Sequence, residues 1–215
     1  MYHRNIIRKW IADGEGPNLD FKQTITSAAK ISRSIVAFAN SRGGKIVVGI
    51  GDHGHIIGVD ADEEMYELEK SAAKFCVPAI ELEFEQYVHY GKMILIAHVV
   101  ESNKKPHFAI DKKGRQKIYV RIADECVVPN KTIEKLLLDG DMNYLQRNHQ
   151  YTNLKRNLLE YFTKQKTINT AQYMQLRKTT ERNANRALTD LLFEGFLQKK
   201  TADSFSLNPT HYRNR

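Results

Sequence analysis

Glu15, Asp20 and Asp52 are three carboxylates set among glycines, and Lys22 adds a cation two residues after Asp20. Carboxylates that share a divalent cation can orient water and stabilise charge on a phosphate, which is the chemistry of phosphodiester cleavage. Lys22 could neutralise the phosphate itself. The same residues also have structural uses. Asp52 and Gly54 are natural turn formers, Gly43 and Gly44 can end a helix, Asn40 can cap backbone groups there, and Asp20 and Lys22 can pair on one strand face.

The elements that must position these groups are legible from periodicity. Ile6, Ile7 and Trp10 mark a short amphipathic helix that Gly14, Gly16 and Pro17 end. Leu19 and Phe21 alternate with Asp20 and Lys22, a strand-like period of two. From Ser27 to Asn40 the pattern is helical, with Ile31, Ile35 and Phe38 on one face, and Ile46 to Ile50 then reads as a buried strand. Gly51-Asp52-His53-Gly54 predicts a hairpin onto His55 to Val59, closed by Asp52. Asp62 to Phe75 is a second helix. Further strand pairs are expected around Tyr90-Gly91-Lys92 and Lys113-Gly114, with Ile118 and Val120 inward, and Thr132 to Leu138 adds a helix that Gly140 can cap. Helices and hairpins in this order imply an α+β fold with a mixed or antiparallel sheet. The expected domains are residues 1–140 and 153–208, joined by a linker at 141–152.

Charge separates the two parts. Residues 1–149 hold 21 Lys and Arg against 20 Asp and Glu, whereas the last 66 residues hold 12 against 5, a net of +7. A basic excess gathered in one small region is the electrostatic footprint of a nucleic-acid-binding module. The most apolar runs, Ile31 to Ala39 and Met93 to Val100, are shorter than the roughly 20 residues needed to span a bilayer. No signal peptide is evident, so a cytoplasmic location away from membranes is expected. Cys76 and Cys126 are far apart and lack metal-ligand spacing, which suits small buried hydrophobes in a reducing compartment.

The C-terminal part reads as helix, helix, helix and hairpin. Leu154, Leu158, Leu159 and Phe162 mark the first helix. Thr170 can cap a second with Tyr173, Met174 and Leu176 inward, and Thr180 opens a third carrying Ala184, Ala187, Leu188, Leu191 and Leu192. Phe196 to Lys200 and Ser204 to Leu207 are short strands. This is the order of a small winged helix-turn-helix domain. Thr179, Arg182, Asn183 and Arg186 would lie on the outer face of the third helix, where Arg and Asn suit bidentate contacts with guanine and adenine edges. Lys199 and Lys200 would approach phosphates from the wing.

Glu15, Leu19-Asp20-Phe21-Lys22, Ala37-Phe38-Ala39-Asn40, Gly43-Gly44, Gly49, Asp52 and Gly54 resemble the Schlafen AlbA-type domain. That family's usual run is E, four residues, E-F-K, then A-F-A-N-x-x-G-G and G-x-x-D-x-G. Pro106-His107 and Tyr119-Val120-Arg121 resemble its later P-H and Y-x-R elements. The resemblance covers about residues 10–130. Many bacterial proteins similar to this one carry a C-terminal winged helix and are described as transcriptional regulators, or as ATPase-like or helicase-related proteins. In animal Schlafen proteins the related core cuts RNA with three acidic residues, which by motif position would be Glu15, Asp20 and Asp52. Asp20 departs from the pattern, replacing the family's Glu with an arm one methylene shorter.

Other chemistries lack support. No G-x-x-x-x-G-K-[ST] loop occurs, and Gly49-x-Gly51-x-x-Gly54 precedes an expected hairpin rather than a helix, so nucleotide hydrolysis is not expected. His53 and His55 flank a turn without a further ligand pattern, and no G-x-S-x-G elbow is present. The leading expectation is a homodimeric DNA-binding transcriptional regulator that reads double-stranded DNA and needs no cofactor. One rival is an endonuclease acting on RNA or single-stranded DNA, with Mg or Mn held by Glu15, Asp20 and Asp52 and assisted by Lys22. The other is a non-catalytic module that binds a ligand or a protein.

Overall fold

The computed structural model of the chain describes residues 2–140 and 149–209 and falls into two units, Met1–Pro129 and Asn130–Arg215. In the first unit, α1 (Tyr2–Asp13) precedes β1 (Leu19–Lys22), α2 (Ala28–Asn40), β2 (Gly44–Val48), α3 (Ala61–Lys74) and β3 (Cys76–Val77). The hairpin of β4 (Leu82–His89) and β5 (Lys92–Val99) follows, then the short strands β6 (Phe108–Ile110), β7 (Gln116–Ile118), β8 (Val120–Ile122) and β9 (Glu125–Val127). A four-stranded sheet runs in the order β1-β2-β5-β4, with β1 and β2 parallel and the other pairs antiparallel. The fold is mixed α+β.

Alternation along the strands divides the apolar side chains between two faces. Ile46 and Val48 of β2 and Leu95, Ala97 and Val99 of β5 pack with Ile31, Ile35 and Phe38 of α2 and Leu68 of α3. Val47, Ile94 and Ile96 point the other way, where Ile7 and Trp10 of α1 join Leu19 and Phe21 of β1. Each fully buried Ile or Leu contributes about 1.5–3 kcal/mol, so this two-sided core is the main source of stability. In β1 the period of two sends Leu19 and Phe21 to the α1 side and leaves Asp20 among the groups near α2.

Two turns carry most of the local constraint. Gly43 adopts φ +68°, and a Cβ there would lie 2.7 Å from the Val99 carbonyl oxygen, so a side chain would block the approach of the α2 end to β5. Tyr90 and Gly91 take φ 48° and 77°, both positive as a two-residue hairpin turn requires, between the paired residues His89 and Lys92.

The expected hairpin after β2 is cut to a single bridge. Asp52–Gly54 make a single 3-10 turn, and only the bridge Ile50–Ile56 returns. The reason lies at Gly49, φ +104°, whose carbonyl accepts from both Ile57 N (2.9 Å) and Gly58 N (3.1 Å), after which Val59 N bonds to Met93 O of β5 (2.9 Å). After that bridge the chain turns towards β5, so no second strand extends along β2.

The second unit contains α4 (Lys131–Asp139), α5 (His149–Lys164), α6 (Thr170–Arg177), α7 (Glu181–Phe193) and the antiparallel pair β10 (Leu197–Thr201) and β11 (Ser204–Leu207). Asn130 caps α4 by accepting from Thr132 N and Ile133 N, and Gly140 ends it in the left-handed region. The helix capped by Gly140 therefore groups with the C-terminal unit. Most of the expected linker, residues 141–148, lies outside the described residues. Leu158, Ile168, Tyr173, Ala184, Leu188, Leu191, Phe196 and Leu197 form one core. Ile168 bridges Phe205 through reciprocal backbone bonds of 2.8 and 2.9 Å, which ties the α5–α6 connection to the hairpin.

Two details differ from the sequence reading. Asn169, not Thr170, caps α6, because its side chain accepts from Gln172 N while the Gln172 side chain accepts from Asn169 N. Leu176 is exposed rather than inward, since it lies off the face that buries Tyr173.

Candidate functional site

Asp20 is only 3% exposed, and its carboxylate is already engaged. Arg121 Nη1 donates to Oδ1 at 3.3 Å, and Lys22 Nζ lies 2.7 Å from Oδ2. The Lys22 contact is an ion pair without hydrogen-bond alignment, so Oδ2 has charge compensation but no aligned donor. Arg121 spends its other donors on the same loop, with Nε to Gly16 O at 3.1 Å and Nη2 to Leu19 O at 2.9 Å. Its guanidinium also lies 5.0 Å from the centre of the Phe38 ring and meets Cys126 Sγ at 3.3 Å. A guanidinium is suited to this because its planar fork reaches several acceptors at once.

Glu15 lies beside this pair. Its Oε1 accepts from Phe21 N at 2.7 Å, and Lys22 Nζ donates to Phe21 O at 2.9 Å. Loss of hydration raises the Glu15 carboxyl above its ordinary value of 4.5, with the negative charge of Asp20 acting in the same direction and the Phe21 bond opposing it. The residue as a whole remains exposed, so solvent screens the effect. A carboxyl whose folded pKa is raised favours folding when protonated and loses that contribution as pH rises through its unfolded value towards the folded one. Glu15→Gln keeps an acceptor for Phe21 N. It is expected to melt above the parent at neutral pH, with the gain vanishing on acidification below 4.5; thermal melts of both proteins across that range measure it.

Asp52 is exposed on the 3-10 turn. Among the described residues no group of three or more His, Cys, Asp or Glu side chains gathers in a way that could hold a metal ion. Glu15 and Asp20 come together with Lys22, but Asp52 does not complete a ligand set with them. The shared-cation reading of Glu15, Asp20 and Asp52 remains an expectation from the sequence. Asp20 is paired with cations, and no step through Mg or Mn follows from this geometry.

The remaining motif residues build the support for that pair. Asn40 is fully buried; its Nδ2 donates to the carbonyls of His107 (2.9 Å) and Tyr119 (3.0 Å), and its Oδ1 accepts from His107 N (2.7 Å). Ser41 Oγ accepts from Arg121 N at 2.9 Å. The end of α2 thus fixes the strand that carries Arg121. A family model described as Schlafen, AlbA_2 matches residues 15–130.

The chain belongs to the Schlafen AlbA_2 family.

The Schlafen AlbA_2 match spans more than half of the 215 residues and points to a nucleic-acid-related function. Among solved structures, the N-terminal domain of a RecG-related protein from Nitrosomonas europaea is similar at 23% identity and a TM-score of 0.39, covering 45% of this chain and 71% of that one. The DIP2311 protein from Corynebacterium diphtheriae is similar at 16% identity and a TM-score of 0.42, covering 97% of this chain but only 39% of its own length. No curated protein matches the chain. The Schlafen AlbA_2 motif arginine, Arg121, is the residue that sequence reasoning left out of the site. The Y-x-R element signalled its importance, but not the side chain it would meet.

The expected nucleic-acid contacts of the second unit are differently disposed. Arg182, Asn183 and Lys200 are exposed, and among the described residues neither Arg182 nor Lys200 makes an ion pair or a side-chain hydrogen bond. Arg186 instead donates through its guanidinium to Thr132 Oγ1 of α4, from Nε at 3.0 Å and from a second nitrogen. Thr179 and Lys199 are half-buried. Asn185, missed in the sequence, is exposed on the same helix and bonds to Thr170 Oγ1 at 3.1 Å. Both cysteines are free, and burial pushes the Cys76 thiol up to about 12. No helix among the described residues is long and apolar enough to cross a membrane.

Proposed function

We propose that this chain is a cytoplasmic, homodimeric DNA-binding regulator. Residues 153–208 act as a winged helix-turn-helix that presents α7 to the major groove of double-stranded DNA. The observation that carries this reading is the placement of the net +7 of the last 66 residues: Arg182 and Asn183 stand exposed on α7, whose other face buries Ala184, Leu188 and Leu191. Arg182 and Asn183 are the base-reading side chains, and Lys200 meets a phosphate. Arg186 is first a strut to Thr132 and contributes charge from there. A second copy supplies the second half-site.

Fluorescence anisotropy with labelled duplex DNA of mixed sequence tests the reading. Affinity is expected to fall steeply with added salt. Arg182→Ala should weaken binding about tenfold and Lys200→Ala less, with the salt slope reduced by about one in the latter. Sedimentation should give a dimer. Duplex binding that is unchanged in Arg182→Ala/Lys200→Ala overturns the assignment of α7. Divalent-metal-dependent cleavage of RNA or DNA that Glu15→Gln abolishes overturns the purely regulatory role.

A further inference from the structure

The first unit is almost electrically neutral, with 18 Lys and Arg against 17 Asp and Glu in residues 1–129, yet residues 111–117 hold four cations and one carboxylate. This segment is the turn after β6 together with the first two residues of β7, and it lines an open depression on the surface. Ala29 of α2 and Ala109 of β6, which carry only methyl groups, leave room for it. The walls are Arg33, Asp111, Arg115, Lys117 and Tyr119.

Each wall residue is held in a different way. Asp111 Oδ1 accepts from Lys113 N (2.8 Å) and Arg115 N (3.0 Å), and Oδ2 accepts from Arg115 Nε (2.7 Å), which folds the turn and fixes the guanidinium. Those bonds, the backbone one from Arg115 first, hold the Asp111 carboxyl below its ordinary range, so it stays anionic and offsets one of the three cations. Arg33 lies over the Tyr119 ring, 5.7 Å from its centre. The Lys117 side chain has no ion pair or hydrogen bond among the described residues, and the residue is exposed. Three cations and one anion leave two positive charges on a concave surface with small-residue access.

We propose that this pocket, between α2 and the β6–β7 turn, is a phosphate-binding site that takes the phosphoryl group of a nucleotide or of a nucleic-acid backbone through Arg33, Arg115 and Lys117. Two guanidinium forks match the oxygens of a tetrahedral anion, and Lys117 adds a point charge. The residual charge of two matches a phosphomonoester dianion. The site is separate from the duplex-reading surface of α7, and its test reads residues of the first unit, so the two assignments fail independently.

The full-length chain, labelled with nitrogen-15, is titrated at constant ionic strength with inorganic phosphate, adenosine 5′-monophosphate and a short oligothymidylate lacking terminal phosphates. Saturable shifts at the amides of Ala29, Asp111 and Lys117 are expected with at least one probe. Affinity should fall about tenfold in Arg33→Ala and in Lys117→Ala, as lost charge-assisted bonds imply, and stay unchanged in Lys9→Ala, an exposed lysine of α1 outside the pocket. Both substituted side chains are exposed, and the amide spectrum itself reports whether each variant is folded. Saturation by phosphate or the monophosphate identifies a small phosphorylated ligand, and saturation by the oligonucleotide alone identifies a backbone; either supports the site. Shifts that sodium chloride reproduces, shifts absent from these amides, or affinities unaltered in both variants overturn it.

Discussion

Arg121→Met is expected to destabilise the first unit by about 3–5 kcal/mol, seen as a lowered denaturation midpoint, because it breaks a buried ion pair from one side. The side chains of Arg121 and Asp20 are 2% and 4% exposed, so neither can be rehydrated without opening the core. Met fills the space over Phe38 but leaves Asp20 with Lys22 alone and strips the Gly16 and Leu19 carbonyls of their donors. Arg121→Lys should recover only part of the loss, since an ammonium cannot serve two carbonyls and a carboxylate lying in different directions. Asp20→Asn should cost less, because Arg121 keeps both carbonyls. In the double variant the losses should sum to less than the separate ones, since the partners share one interaction. A midpoint unchanged in Arg121→Met would remove the structural account of Asp20 and restore its claim to chemistry.

That experiment also marks the limit of what the sequence told about the site. Asp20 and Lys22 were legible as neighbours on a strand face, and Glu15 as a group one turn away. The decisive partner, Arg121, stands 101 residues later, and no local period links the two. A carboxylate with free oxygens and one locked by a guanidinium look alike in a motif. The setting of Asp52 was hidden for a more local reason: the turn that carries it closes on one bridge, Ile50–Ile56, before the chain passes to β5. Arg186 is similar, since its spacing on α7 was right while Thr132 of α4 had no signal in the pattern.

The fold was more legible because its causes are local. The period of two in Leu19–Lys22, the apolar face of Ala28–Asn40 and the Tyr90-Gly91 turn each act within a few residues, and each element formed close to the expected position. Parallel pairing of β1 with β2 could not be read in the same way, because it joins strands separated by a helix. Helix caps lie between these cases. Asn130 and Thr180 cap as residue type suggests, but at α6 the choice between Asn169 and Thr170 depended on which could form a reciprocal bond with Gln172.

Asn40→Ala should be as damaging as the loss of Arg121, at about 3–5 kcal/mol, although it removes no charge. Its amide satisfies two carbonyls and one N–H in a place with no exposure to water, and each buried backbone group left without a partner costs roughly 1–3 kcal/mol. Asn40→Asp keeps the acceptor for His107 N but turns a negative oxygen towards two carbonyls, so it should fare no better. Asn40→Ser is too short to span both strands. The Asn40 amide thus ties the backbone of His107 to that of Tyr119, and the tie has a second consequence. The Tyr119 carbonyl it holds is two residues before Arg121, so losing Asn40 should loosen the guanidinium as well. Hydrogen exchange at the His107 and Arg121 amides should quicken together in Asn40→Ala, and the Asn40→Ala/Arg121→Met double variant should lose less than the sum of its parts. Strictly additive losses, or protection retained at Arg121, would mean that α2 anchors the two motifs separately.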